Sequence, residues 1–455
     1  MFLDRTPRYF VYFLIVYAPF CYGLRDGAGE PMFVTISFMA FFMFCWKCFL
    51  DGRWPKVDGW LLFCMAFIGI HGLWMAQNAD SYYRWHRELI TIRILDPAPM
   101  PDLPGSRDRL ATPAHLYPQF AVFCLMIVIA EMRPIHRRRV LGVAVGSAVA
   151  LALLGIVIKL GGTELLRIYW SFEKPDNYQT SFAGYRYHGN AATFLTISYA
   201  FASGFLLEAM AKGQTRIRIL TLSAIIIILF GLFLNTSRAG WALAIIVTLL
   251  AIPRLMSTLR SGKSETTSPE KRRLVIVVAV AAGLIAIIAL FASESQYRIG
   301  KLSSLSETMA KRFPLALFMD MVPETPLTGF GPGTFPFVFP KYQMSKPGMY
   351  TSDKFLNEAH QDYFQIYFDW GPITFLVWLT ILFVPAIKYV FQHRSKATTD
   401  NLGFVCFAAV FAVLLHATLD FPLQITSLLF YFGIATAFLS KTTPATNQVT
   451  GVDAD

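Results

Sequence analysis

Charge is scarce in this chain. Only 15% of its 455 residues are Asp, Glu, Lys or Arg, whereas soluble domains carry about a quarter. Hydrophobic residues make up 55% and mean hydropathy is +0.48, which excludes an ordinary soluble domain. Cysteine is sparse as well: Cys21, Cys45, Cys48, Cys64, Cys124 and Cys406 all fall in apolar stretches, so no disulfide framework is implied. The Cys45-x-x-Cys48 pair sits in a Phe-rich run and reads as packing, because a buried free thiol behaves as a small hydrophobe. There is no Gly-rich phosphate loop, no repeat of fixed period and no duplicated half. The first apolar run lacks a small-residue cleavage site after it and is expected to be a retained helix.

What is present is a series of apolar runs long enough to cross a bilayer as helices. Twelve spans are expected, near 9–24, 31–50, 60–76, 115–132, 140–161, 190–211, 219–236, 240–256, 274–292, 372–391, 403–419 and 423–440. The fold class is all-α, a polytopic membrane protein. The net charge of +11 does not point to nucleic acid, because the basic residues are spread over short loops between apolar runs. Alternate loops hold them: Arg5 and Arg8; Lys47, Arg53 and Lys56; Arg133 and Arg137–Arg139; Lys212, Arg216 and Arg218; Arg254, Arg260, Lys263 and Lys271–Arg273; Lys388, Arg394, Lys396 and Lys441. Short loops rich in Lys and Arg stay in the cytoplasm, which puts both termini inside.

Three long segments then face outward, 77–114, 162–189 and 293–371. The first is Pro-rich at Pro97, Pro99, Pro101 and Pro104 and is expected to be irregular. The third opens on a polar, helical-looking stretch near 297–321, then passes through Thr328-Gly329-Phe330-Gly331-Pro332-Gly333-Thr334, a tight loop. Residues 1–440 read as a single transmembrane domain that includes the loop 293–371, and 441–455 as a disordered cytoplasmic tail.

Two polar clusters interrupt this apolar background. One is Thr236-Ser237-Arg238-Ala239-Gly240-Trp241 between two spans; the other is Glu358-Ala359-His360-Gln361-Asp362-Tyr363-Phe364-Gln365, followed by Trp370-Gly371. Ionisable residues beside membrane spans are costly and mark function by default. With Arg312-Phe313, the run Pro326–Phe335 and His416-Ala417-Thr418-Leu419-Asp420-Phe421-Pro422-Leu423-Gln424-Ile425, these pieces resemble the bacterial O-antigen ligase and O-antigen polymerase superfamily. The resemblance covers mainly residues 184–435. Gln361 stands where the family often has Asn, and Asp369 where it often has Glu.

The resemblance implies a glycosyltransferase that needs no metal or other cofactor, working at the periplasmic face of the inner membrane. Its donor would be a glycan on undecaprenyl diphosphate. Its acceptor would be lipid A-core, another glycan or a protein, so that O-antigen ligase leads over polymerase and protein O-oligosaccharyltransferase. Arg238, Arg312 and Arg186 would bind the donor diphosphate, since a guanidinium stays charged and grips phosphate through two donors. By position alone Arg238 fits an interface arginine equally well. His360 would be the general base on the acceptor hydroxyl, a task that suits a group titrating near neutrality. Glu358, Asp362, Asp369 and Asp420 would support it. His416 and Asp420 are four apart, on one helix face; two metal ligands fit there, but no third is evident. His71 and His115 read as packing or interface residues.

The rival of another class is a 12-span transporter, or a non-catalytic subunit of a glycan export complex. Carriers show paired halves and midplane charges, whereas here the ionisable residues gather at the outer ends of spans.

The charge bias fixes a topology that labelling can check. In a cysteine-free background, a membrane-impermeant thiol reagent on intact spheroplasts should label Ser303→Cys and leave Ser264→Cys silent. The reverse pattern would invert the assignment.

Overall fold

A computed structural model describes residues 2–25, 29–86, 90–161, 181–235, 237–261, 314–344, 356–393 and 400–440. The expected ninth span at 274–292, most of the loop 162–189 and residues 441–455 lie outside them. The other eleven expected spans correspond to helices: α1 (Phe2–Phe20), α2 (Glu30–Leu50), α3 (Gly59–Gln77), α4 (Ala111–Glu131), α5 (Pro134–Gly161), α6 (His188–Ala211), α7 (Thr215–Leu234), α8 (Arg238–Ser261), α11 (Asp362–His393), α12 (Asn401–His416) and α13 (Thr426–Leu439). Among the described residues between α8 and α11 lie two short helices, α9 (Leu315–Met321) and α10 (Phe335–Met344). Among the described residues, eight helices are long and apolar enough to span a membrane. The 21 residues of α2 rise about 30 Å, the thickness of a bilayer's hydrocarbon core.

The burial pattern separates an inner from an outer set. The inner helices α6 and α13 are buried along nearly their whole length, and α4 packs against α13 while α7, α8 and α12 pack against α6. The outer helices are apolar all round and leave Phe42, Phe49, Phe63, Ile70, Leu220 and Ile226 exposed. In water such a surface would aggregate; against lipid it is the ordinary state of a spanning helix.

The segment 77–114 departs from expectation. It holds an antiparallel hairpin, β1 (Ser81–His86) and β2 (Ile90–Leu95). Prolines dominate only its second half; before them Tyr82-Tyr83 and the Ile-Thr-Ile run at 90–92 supply the aromatic and β-branched residues that strands prefer. Asp80 then collects Arg93 at 3.1 Å and Arg107 at 2.6 Å, and Asn78 donates to the carbonyls of Met100, Leu103 and Pro104, so the proline stretch is tied down.

The glycine loop is a clamp. Phe330 N donates to Phe368 O at 2.9 Å, Gly331 N to Asp369 O at 3.0 Å, and Arg107 N to Phe330 O at 2.8 Å. The loop therefore joins the segment 77–114 to the start of α11. Gly371, with φ 72° and ψ 167°, breaks α11 into a nine-residue outer part (Asp362–Trp370) and a longer apolar part, and a Cβ there would lie 2.3 Å from Leu327 O.

That backbone region is open to glycine alone and costs another residue about 1–3 kcal/mol, before any clash. Gly371→Ala should therefore lower the melting midpoint of the solubilised protein strongly. Gly52→Ala, at φ 61° with no neighbour within 4 Å, should cost only about 1–2 kcal/mol. Equal losses would mean that the clamp contributes nothing.

Candidate active site

His360 lies in the short turn before α11 and is held at φ +49°, a conformation uncommon for a residue with a Cβ. Its ring meets Phe421 edge to face with centroids 4.9 Å apart, and its Nδ1 lies 3.3 Å from Asp420 Oδ1. A carboxylate only accepts, so Nδ1 carries a proton in this contact, and in the neutral ring the lone pair is then on Nε2. Nε2 has no hydrogen-bond partner among the described residues, and about a fifth of the side chain is exposed. The geometry is that of an oriented imidazole with its basic nitrogen available.

Asp420 sits between two histidines. Its Oδ2 lies 3.6 Å from His416 Nε2, and His416 Nδ1 lies 2.7 Å from Thr193 Oγ1 on α6. Helix α12 ends at His416, so Asp420 lies in the turn that follows rather than on the expected helix face; its amide still donates to His416 O at 3.0 Å, which keeps the two side chains together. Burial pushes the Asp420 carboxyl up, but the His360 hydrogen bond and the charges of His416 and His360 outweigh it and hold the group below the usual value. Gly189 closes this corner, since a Cβ there would lie 2.8 Å from Asp420 Oδ2.

On its other side Phe421 carries Arg25, whose guanidinium is 5.1 Å from the ring centroid. Arg25 also reaches Glu358 Oε1 at 3.4 Å. Glu358 Oε2 accepts from Gln365 at 2.7 Å, and Gln365 Oε1 accepts from Ala359 N at 2.9 Å, which fixes the turn holding His360. Burial pushes the Glu358 carboxyl up, against the opposing pull of Arg25 and Gln365.

The remaining sequence candidates divide. Asp362 is fully buried and accepts from Leu423 N and Gln424 Nε2, both at 2.9 Å, so it holds the Asp420 loop. Asp369 accepts from Gly333 N at 3.1 Å and holds the glycine clamp. Both lie on the same outer part of α11 but act on different loops. Arg238 is the first residue of α8 and is exposed. The helix is capped by Ser237, whose Oγ accepts from Gly240 N at 3.2 Å. A guanidinium at a helix N-terminus presents positive charge and backbone donors together, an arrangement suited to phosphate. The turn before it is pinned to the start of α6 by Asn235 Nδ2, which donates to His188 O at 2.8 Å. Arg186 lies half-buried two residues before α6. Arg312 falls outside the described residues. Among the described residues no three His, Cys, Asp or Glu side chains gather as a metal site. His71 packs near Trp370 and bonds Thr374.

Sequence reading missed Arg25, Thr193 and Phe421 as members of this cluster. Phe421 is adjacent to Asp420 and was within reach. Arg25 sits alone in a polar turn after α1, and nothing in its neighbourhood signals Glu358, 333 residues away.

Residues 223–379 match the family model of the O-antigen ligases. That part of the chain is similar to the O-antigen ligases. The match covers roughly a third of the chain and includes Arg238, Arg312, Glu358 and His360, while Asp420 lies beyond it. It indicates glycosyltransferase activity of the O-antigen ligase and polymerase kind, and together with the apolar helices it marks a multi-pass bacterial membrane protein. No curated protein matches the chain.

The two carboxylates on either side of His360 give opposite pH signatures. With Glu358 raised, the folded chain keeps a proton that the unfolded chain loses above about pH 4.3. Stability therefore falls as pH rises through the interval up to the raised value, and Glu358→Gln should remove that decline. Asp420 is lowered, so its contribution is present above the ordinary aspartate value and is lost as pH falls through the lower folded one; Asp420→Asn should remove stability at neutral pH. Melting midpoints of the two variants against pH check both signs.

Proposed function

We propose that this protein transfers a glycan from undecaprenyl diphosphate to an acceptor hydroxyl, with inversion and without a metal, and that lipid A-core is the acceptor. The observation that carries the reading is the oriented His360: Nδ1 engaged by Asp420, Nε2 available. In the reaction the acceptor oxygen forms a bond to the anomeric carbon on the face opposite the leaving group. The carbon–oxygen bond to the diphosphate breaks and its electron pair leaves with the phosphate. The hydroxyl proton passes to His360 Nε2, and Asp420 stabilises the imidazolium that results. Arg238 grips the departing diphosphate, helped by the N-terminus of α8, with Arg186 and Arg312 as further diphosphate ligands. A leaving group already activated as a diphosphate and neutralised by guanidinium is the reason no Lewis acid is invoked. Glu358 supports the turn that holds His360, and Asp362 supports the loop that holds Asp420. Two relatives of this chemistry, glycan polymerisation and transfer to protein, use the same groups and differ only in the acceptor.

The test is a transfer assay with purified protein, defined lipid-linked donor and acceptor. His360→Ala should lose about a hundredfold or more of the rate, at unchanged abundance and donor binding. Arg238→Lys keeps the charge but loses the fork, and should also fall sharply. Transfer should persist in EDTA. An active His360→Ala protein, or EDTA-sensitive transfer restored by a divalent ion, would overturn the mechanism. In cells, deletion should remove lipid-A-attached polymer; loss of chain length with single units retained would instead mean a polymerase.

A further inference from the structure

Beside the candidate active site lies a cavity of about 310 Å³ that includes Arg25, Glu30, His115, Gln119, Glu358 and Gln424 in its lining. The volume is at the low end for small-molecule sites. Most of these residues precede the segment matched by the family model, and sequence reading left His115 as a packing or interface residue.

Its wall is rich in acceptors. Gln119 is only 6% exposed, and its Oε1 is buried without a hydrogen-bond partner among the described residues. An unsatisfied buried acceptor is costly, so a ligand group that donates to it is stabilising. Glu30 uses Oε1 to accept from Thr426 at 2.6 Å, and its Oε2 has no partner among the described residues. Glu358 adds a second carboxyl group, and Arg25, an arginine in the wall, is already engaged by Glu358. His115 and Gln424 bond each other at 3.0 Å, which braces the far wall. Two carboxyl groups and an orphan amide oxygen offer an anion no positive charge and favour a ligand bearing several hydroxyl groups. Phe337 offers an apolar face for ring C–H groups. A sugar ring has this combination of edges and faces.

The cavity's place relative to His360 gives it a role. On one side a chain of contacts runs from His360 through Asp420 to Gly189 and His188, and on to Asn235 beside Arg238. On the other side it runs from His360 through Phe421 to Arg25 and Glu358 at the cavity wall. His360 thus stands between a cationic helix N-terminus and an acceptor-rich pocket.

We propose that this cavity is the subsite for a sugar ring of the glycosyl acceptor, with Gln119 and Glu30 as its specificity-determining residues. The proposal rests on the transferase reading above, and binding measurements separate the two. The probes are core oligosaccharide freed of lipid A and, separately, inorganic pyrophosphate, titrated by calorimetry into His360→Ala protein in nanodiscs. The oligosaccharide should bind, and should weaken at least tenfold when either Gln119→Met or Glu30→Gln is added. Pyrophosphate binding should survive both changes and be lost in Arg238→Ala. In the His360-containing protein, Gln119→Met should raise the acceptor KM about tenfold with donor KM and kcat unchanged. Melting midpoints and elution profiles must show both variants folded. Absent oligosaccharide binding, binding indifferent to both substitutions, or pyrophosphate binding that depends on Gln119 would each overturn the subsite. An active His360→Ala enzyme would overturn the transferase mechanism while leaving the binding result to stand by itself.

Discussion

A carboxylate with no exposure, Asp362, holds the site together. It accepts the backbone amide of Leu423 and the side chain of Gln424, while its own amide donates to Ala417 O at 3.0 Å. These three bonds tie the start of α11, two residues after His360, to the loop that carries Asp420. In an apolar protein such a loop has few ways to satisfy its polar backbone. Helices α12 and α13, at 16 and 14 residues, are shorter than their neighbours because the chain between them leaves the helical path to form this loop. Asp362 supplies the hydrogen bonds that the break removes, and the loop in turn places Asp420 against His360.

The same logic governs the glycine loop. Asp369 is one helical stretch further along α11 and accepts from Gly333, while Gly331 donates to its carbonyl. Gly329, Gly331 and Gly333 all have positive φ, and side chains at these positions would strike Asp369, Ser106 or His115. One short helix segment therefore uses two buried carboxylates to hold two irregular loops. The turn bearing His360 is fixed from below by Asp362 and from the side by Gln365 and Glu358, so the backbone that carries the imidazole is held beside Asp420.

Much of this was legible in the sequence. Scarce charge and apolar runs of about twenty residues dictate spanning helices, since a helix satisfies its own backbone in lipid and barrel strands are about half that length. Glu358–Gln365, Arg238 and the His416–Gln424 stretch stood out as polar groups where polarity is costly; of these His360 meets Asp420, His416 lies on the other side of Asp420, and Glu358 joins through Arg25 and Phe421. The hairpin at 81–95 was hidden by the prolines after it, which drew attention from the strand-forming residues before them. The distinct tasks of Asp362 and Asp369 were also hidden, because a shared helix face says nothing about which loop each carboxylate meets.

The sequence by itself determined the class of fold, the polar clusters and the chemistry their residue types permit, because those depend on composition and on spacing along the chain. Only the tertiary structure decided that Arg25 and Glu30, at the ends of the first loop, and Gln119 on α4 line a pocket beside His360. It alone decided that Asp420 sits between His360 and His416. Hydrogen bonds and ring contacts between residues hundreds of positions apart act over about 3–6 Å, and no local pattern encodes which distant side chains will be brought within that range.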